Sequence, residues 1–187
     1  MKQHQANAIV CNNPAVAQER FDTTFRYGCF CGKNYPNIQH SSKKPYRYLD
    51  TKQKDELLAE YYTIKPYDSI DEACMKHDIC YIHKGGEDQR CNDALYTTLR
   101  KIEDTFENQA DERKRDSLER RCKILASDIS SVFRTVFGTG DNISMIRFGM
   151  LATTTPLTLA SKTLQKTSRG MHDGAEYPKK GEKCIAK

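Results

Sequence analysis

From Ser69 onward, apolar positions recur with a helical period. Ser69-Ile70-Asp71-Glu72 has the form of a capping box, with Ser69 as N-cap and Glu72 at the third helical position. Ile70, Cys74, His77 and Tyr81 then fall near one face. Gly85-Gly86 ends this helix, and a second runs from about Glu87 to Phe106, with Leu95, Leu99, Ile102 and Phe106 on one face. The short link predicts an antiparallel hairpin. A third helix starts near Glu112. Its stripe of Leu118, Cys122, Leu125, Ile129, Val132 and Val136, spaced by four and three, is a packing face that Gly138-Thr139-Gly140 interrupts.

The flanking patterns are weaker. Residues 1–13 are polar, and Pro14 to Phe25 has slight helical character. Residues 27–36 read as a Gly- and Cys-containing loop. Residues 37–68 form a long connection rich in Lys and Tyr, with a short helix over Thr51 to Tyr61 and a turn at Lys65-Pro66-Tyr67-Asp68. Residues 143–164 are moderately apolar and interrupted at Pro156. The tail from about Ser168 is polar, with Cys184 placed to tie it down. The prediction is a mainly α fold with no internal repeat.

Composition narrows the class. The 187 residues suffice for one domain with a modest core and appended segments. With 37% hydrophobic and 29% charged residues that core is thin, so the 8 cysteines matter. In an oxidising compartment they close up to four bridges and supplement it. No apolar run is long enough to span a bilayer. Met1 to Cys11 has no usable apolar h-region, so no signal peptide is visible, although the cysteines predict a secreted or extracellular protein. The charge of +5 favours an anionic surface such as phospholipid headgroups. Nucleic acid is disfavoured because basic residues alternate with acids.

Candidate chemistry concentrates at Asp71-Glu72-Ala73-Cys74-Met75-Lys76-His77-Asp78-Ile79-Cys80-Tyr81. His77 and Asp78 are adjacent and so point to different parts of the helix. Asp78 is therefore a poor partner for the imidazole but a good ligand for something bound beside it. An unperturbed imidazole titrates near neutral pH and suits a general base. Upstream, Tyr27-Gly28-Cys29-Phe30-Cys31-Gly32-Lys33-Asn34 can turn several carbonyls toward a hard cation.

The two segments resemble the calcium loop and catalytic helix of the secreted phospholipase A2 superfamily. The loop is similar to the family's Y-G-x-x-C-G-x-G, and the helix to Asp-x-x-Cys-x-x-His-Asp-x-Cys-Tyr. With the Cys-containing helix that follows, the resemblance covers roughly residues 25–36 and 68–103. It implies Ca2+-dependent hydrolysis of the sn-2 acyl ester of glycerophospholipids at a membrane surface. It assigns His77 as base, Asp78 and the carbonyls of Phe30, Gly32 and Asn34 as Ca2+ ligands, the Gly32 N–H as a second oxyanion donor, and Tyr81 as structural support. It pairs Cys31 with Cys74 and Cys80 with Cys91. The pairing of Cys11, Cys29, Cys122 and Cys184 stays open. The implied fold is a disulfide-linked antiparallel helix pair with an N-terminal calcium-binding loop and additional C-terminal helices. The implied organisation is an N-terminal segment over 1–26, a catalytic core over 27–106 with the insertion 37–68, and a helical extension over 107–187.

The chain departs from the family in three places. The family usually has Asp directly after the second-helix cysteine, bonded to the catalytic His. Here Asn92 follows Cys91 and Asp93 comes next, so Asn92 takes that position unless the helix is rotated by one residue. Asn34 replaces a loop glycine, and Asn tolerates positive φ better than most residues. The insertion is long, suiting either headgroup contact or simple solvation. Two other readings compete with the enzyme. One is a weak or silent phospholipase-like binding or membrane-perturbing module. The other is a zinc site from Cys29, Cys31, Cys74, His77, Cys80 and His83, whose spacings match no common zinc pattern.

Overall fold

The computed structural model describes residues 26–32, 45–86, 88–109, 117–137 and 177–187, and within them the chain is mainly helical. The expected helix over Pro14 to Phe25, the ligand Asn34, the break at Gly138 to Gly140 and the segment 143–164 lie outside these residues. Strands β1 (Arg26–Tyr27) and β2 (Cys31–Gly32) pair antiparallel, with Tyr27 opposite Cys31. A single 3-10 turn, Tyr46–Tyr48, precedes α1 (Thr51–Thr63). Then follow α2 (Ser69–Lys84), α3 (Gln89–Gln109) and α4 (Leu118–Phe137). Among the described residues no helix is long and apolar enough to cross a membrane.

Local chemistry fixes the helix ends. At α1, Asp50 accepts from Gln53 N at 2.8 Å while the Gln53 side chain accepts from Asp50 N at 3.1 Å, a reciprocal box. At α2 the expected N-cap needs correction. Asp68, not Ser69, caps the helix, accepting from Ile70 N at 3.0 Å and Asp71 N at 3.1 Å. The reason is tertiary. Asp68 also accepts from Tyr27 Oη and from Cys184 N, so a buried carboxylate at this position satisfies four donors. Ser69 Oγ instead accepts from Ala186 N, and Glu72 pairs with Lys76. Gly85 closes α2 at φ +84°, where a left-handed residue without Cβ meets no steric penalty.

The apolar stripes read from the sequence become the core. Leu95, Leu99, Ile102 and Phe106 of α3 are buried, as are Cys122, Leu125 and Ile129 of α4. Each such large side chain contributes about 1.5–3 kcal/mol on burial. The most extensive packing joins α3 to α4, followed by α2 on α3 and α1 on α2. Three disulfides bind these pieces: Cys31–Cys74, Cys80–Cys91 and Cys122–Cys184. Cys29 is also disulfide-bonded. Cys184 holds the polar tail against α4, and the tail continues onto the start of α2. There Ser69 N donates to Cys184 O at 3.1 Å, and Tyr67 Oη donates to Glu182 O at 2.8 Å.

Candidate active site

The 3.6-residue period puts His77 and Tyr81 one turn apart on the face of α2 that meets α3. Their rings lie 4.1 Å apart. From α3, Asn92 presents Oδ1 to both: 3.0 Å from His77 Nε2 and 2.5 Å from Tyr81 Oη. With Oδ1 accepting from two donors, the imidazole proton sits on Nε2. That leaves the Nδ1 lone pair for base chemistry. His77 is 8% exposed and Asn92 2%, so bulk water does not compete for this hydrogen bond. Asp93 is not brought to the site. It is exposed and accepts from Gln89 Nε2 one turn earlier. Phe133 of α4 stands nearly perpendicular to the imidazole, with centroids 5.0 Å apart.

Asp78 lies beside Nδ1. Its Oδ1 is 3.7 Å from Nδ1, too long for a hydrogen bond, so His77 acts on it mainly through charge when the ring is protonated. The side chain keeps 21% of its surface, yet Oδ2 is enclosed and has no hydrogen-bond partner among the described residues. Burial pushes the Asp78 carboxyl up to about 6, against the opposing pull of His77. A buried oxygen without a donor costs about 1–3 kcal/mol.

The loop reaches this helix through the first residue of the motif, to which the sequence assigns no role. Asp71 is fully buried and accepts from Cys29 N at 2.9 Å, Phe30 N at 2.7 Å and Tyr67 N at 2.8 Å. Two backbone donors of the loop's tight turn and one from the lead-in to α2 thus converge on one carboxylate. Gly28, at φ +60°, makes room for it: a Cβ there would come within 2.2 Å of the Asp71 carboxyl carbon. The Cys31–Cys74 bridge adds a covalent tie one turn before Asp78. Phe30 is buried, with its ring 5.8 Å from that of Tyr61. Gly32, at φ +139°, ends the hairpin.

The insertion also contributes. Tyr61 and Tyr46 share a hydrogen bond, and both phenols are pushed up, first by burial. The negative charge of Asp78 adds to each shift, so the carboxylate is within electrostatic reach of both phenols. Tyr61 was discoverable, since it follows Leu57 and Leu58 on the inner face of α1. The role of Asp71 had no local signal, because its loop partners lie about forty residues upstream. Phe133 continues the stripe four residues after Ile129.

The cysteines a zinc site would need are oxidised: Cys31, Cys74 and Cys80 sit in disulfides, and so does Cys29. Among the described residues there is no group of three His, Cys, Asp or Glu side chains that could hold a metal ion. A Ca2+ site made from one carboxylate and backbone carbonyls does not require such a group. No protein-family model, curated protein or solved structure matches the chain. The functional reading therefore rests on its own residues and their geometry.

Proposed function

We propose that this chain is a Ca2+-dependent phospholipase A2 that hydrolyses the sn-2 acyl ester of glycerophospholipids, releasing fatty acid and lysophospholipid. One observation carries the reading. His77 has its Nε2 committed to Asn92 while its other nitrogen lies beside a carboxylate whose buried oxygen lacks a donor among the described residues. A base alone does not call for that carboxylate. A base working next to a hard cation does.

The donor types present, loop carbonyls and a carboxylate with an oxygen unpartnered among the described residues, suit Ca2+. Asp78 would supply carboxylate oxygens, and Phe30 and Gly32 backbone carbonyls, with Asn34 the expected further ligand outside the described residues. Bound there, the ion would polarise the ester carbonyl as a Lewis acid. The remaining work falls to the chain. His77 Nδ1 takes a proton from water as it adds to the carbonyl, and later returns it to the leaving alkoxide. Asn92 keeps the ring in the Nε2–H form, and Tyr81 holds Asn92. The Gly32 N–H is the proposed donor to the oxyanion. The helix pair, which we take to be antiparallel, fixes base and ligand on rigid elements cross-linked by Cys80–Cys91. The partner is an anionic phospholipid surface, matched to the net charge of +5. The disulfides are compatible with an extracellular protein, and we assign a secreted location.

Asn92 favours a second reading. An amide stabilises an imidazolium less than a carboxylate does, which suits a weak or silent relative that binds lipid without turnover. Fatty-acid release from phosphatidylcholine–phosphatidylglycerol vesicles, with Ca2+ or with EGTA, decides between them. We expect release in Ca2+ that EGTA and His77→Gln each abolish, with vesicle binding retained by the variant. Full release in EGTA would overturn the Ca2+ mechanism, and binding without release would favour the silent module.

A further inference from the structure

We propose that Phe133 forms the wall of the acyl-chain site at His77, so that α4 sets which fatty acyl group is cleaved. The inference rests on the phospholipase reading but concerns residues outside the motifs that suggested it. Three other described neighbours of the imidazole already have roles. Tyr81 packs at 4.1 Å, Asn92 holds Nε2, and Asp78 Oδ1 lies 3.7 Å from Nδ1. Phe133 contributes an apolar surface, its ring centre 5.0 Å from that of the imidazole. A general base acts within hydrogen-bond reach of the reacting water. The first carbons of the scissile acyl chain must then lie within a few ångströms of the same ring, where Phe133 stands.

Phe133 packs against the core, and two features argue that its remaining surface walls a ligand site. Phe30 and Phe106 are 1% and 3% exposed, whereas Phe133 is half-buried and retains surface for an apolar ligand. Its support is also rigid. Cys122, Leu125 and Ile129 precede it by eleven, eight and four residues, on one face of α4. All three are buried, and Cys122 is bridged to Cys184. Lys123 pairs with Glu107 near the end of α3, which leaves Phe133 to reach His77 beside Asn92, near its start.

The chain has no tryptophan, so Phe133→Trp installs a single fluorophore at the proposed wall. Titration with n-dodecylphosphocholine below its micellar concentration should blue-shift its emission saturably and cut acrylamide quenching about threefold. Tyr62→Trp, at a position 65% exposed on α1, serves as control and should not respond. No response at position 133, or an equal response at both, overturns the proposal. The second arm compares phosphatidylcholines carrying octanoyl or palmitoyl at sn-2 in mixed micelles. Phe133→Ala should change the ratio of their kcat/KM values about tenfold, the scale on which apolar pockets discriminate. The ratio is measured within one preparation, so it does not depend on the folded fraction. An unchanged ratio overturns the proposal. Wild-type protein that releases no fatty acid overturns the phospholipase reading instead, and the fluorescence arm still decides whether Phe133 meets an acyl chain.

Discussion

Replacing Asp78 by Asn should stabilise the metal-free protein while removing its response to Ca2+. The perturbation replaces a charge held in poor surroundings with a neutral group of the same shape. Burial pushes the Asp78 carboxyl up to about 6, from an ordinary value of about 3.9. Between those values the unfolded chain ionises this group while the folded chain keeps its proton. Stability is therefore lost as pH rises from about 4 to about 6 and stays reduced above that. At 1.36 kcal/mol per pH unit the loss reaches about 3 kcal/mol. Because 21% of the side chain meets solvent, about 2 kcal/mol is the better figure. The amide leaves an enclosed polar atom unsatisfied, costing about 1 kcal/mol. The net gain of Asp78→Asn is then about 1 kcal/mol at pH 7.5, or about 2–4 °C in Tm for a chain of this length.

Chemical denaturation of both proteins, metal-free, at pH 4, 5, 6 and 7.5 reads this directly. The variant's advantage should open between pH 4 and 6 and then stay level. A constant difference, or wild type gaining on the variant with rising pH, would refute the reasoning. Adding Ca2+ at a hundred times its Kd should raise wild-type stability by about 2.7 kcal/mol and leave the variant unmoved, inverting their order. Below pH 6 the Ca2+ affinity of the wild type should fall roughly tenfold per pH unit, because the ligand must lose its proton.

Two further substitutions test the geometry. Asn92→Ala should lower kcat by about 10–100-fold and Asp93→Ala by less than twofold, and Asn92→Asp should raise kcat; steady-state kinetics giving the opposite ranking would place Asp93 against the imidazole. Gly28→Ala should cost more than about 2 kcal/mol, since the residue is at positive φ and its Cβ would meet the Asp71 carboxyl at 2.2 Å; a urea midpoint within experimental error of wild type would show that the loop yields at no cost.

What the sequence revealed follows the range of the interactions. The face carrying Cys74, His77 and Tyr81, and the stripes of α3 and α4, depend on periodicity within one helix. The resemblance added the two bridges, Cys31–Cys74 and Cys80–Cys91, and both are present. Features set by distant partners were not legible. Ser69 looks like an N-cap by local rules, but Asp68 takes that role because Tyr27 and Cys184 also converge on it. The 26–32 hairpin carries no strand signal of its own, since its turn is organised by Asp71. Tyr46 and Tyr61 sit in an insertion whose composition suits headgroup contact or solvation, yet the charge of Asp78 reaches both phenols.

The same long-range logic ties residues beyond the motif-bearing stretch to the site. Asp68 accepts from the hairpin through Tyr27, from the first turn of α2 through Ile70 and Asp71, and from the tail through Cys184. Removing any one donor group leaves a buried carboxylate less satisfied, so the three segments hold one another in place. The tail is joined in turn to α4 by Cys122–Cys184 and by Arg121 against Glu182, and α4 carries Phe133 to the imidazole. A core cut at the end of the motifs would keep His77, Asp78 and Asn92 but lose two supports. The cap that anchors α2 would lack a donor, and the imidazole would lose one of its neighbouring rings. A hydrophobic fraction of 37% leaves little spare core to compensate. The C-terminal part of this chain therefore belongs to the physical definition of the site, although no motif announces it.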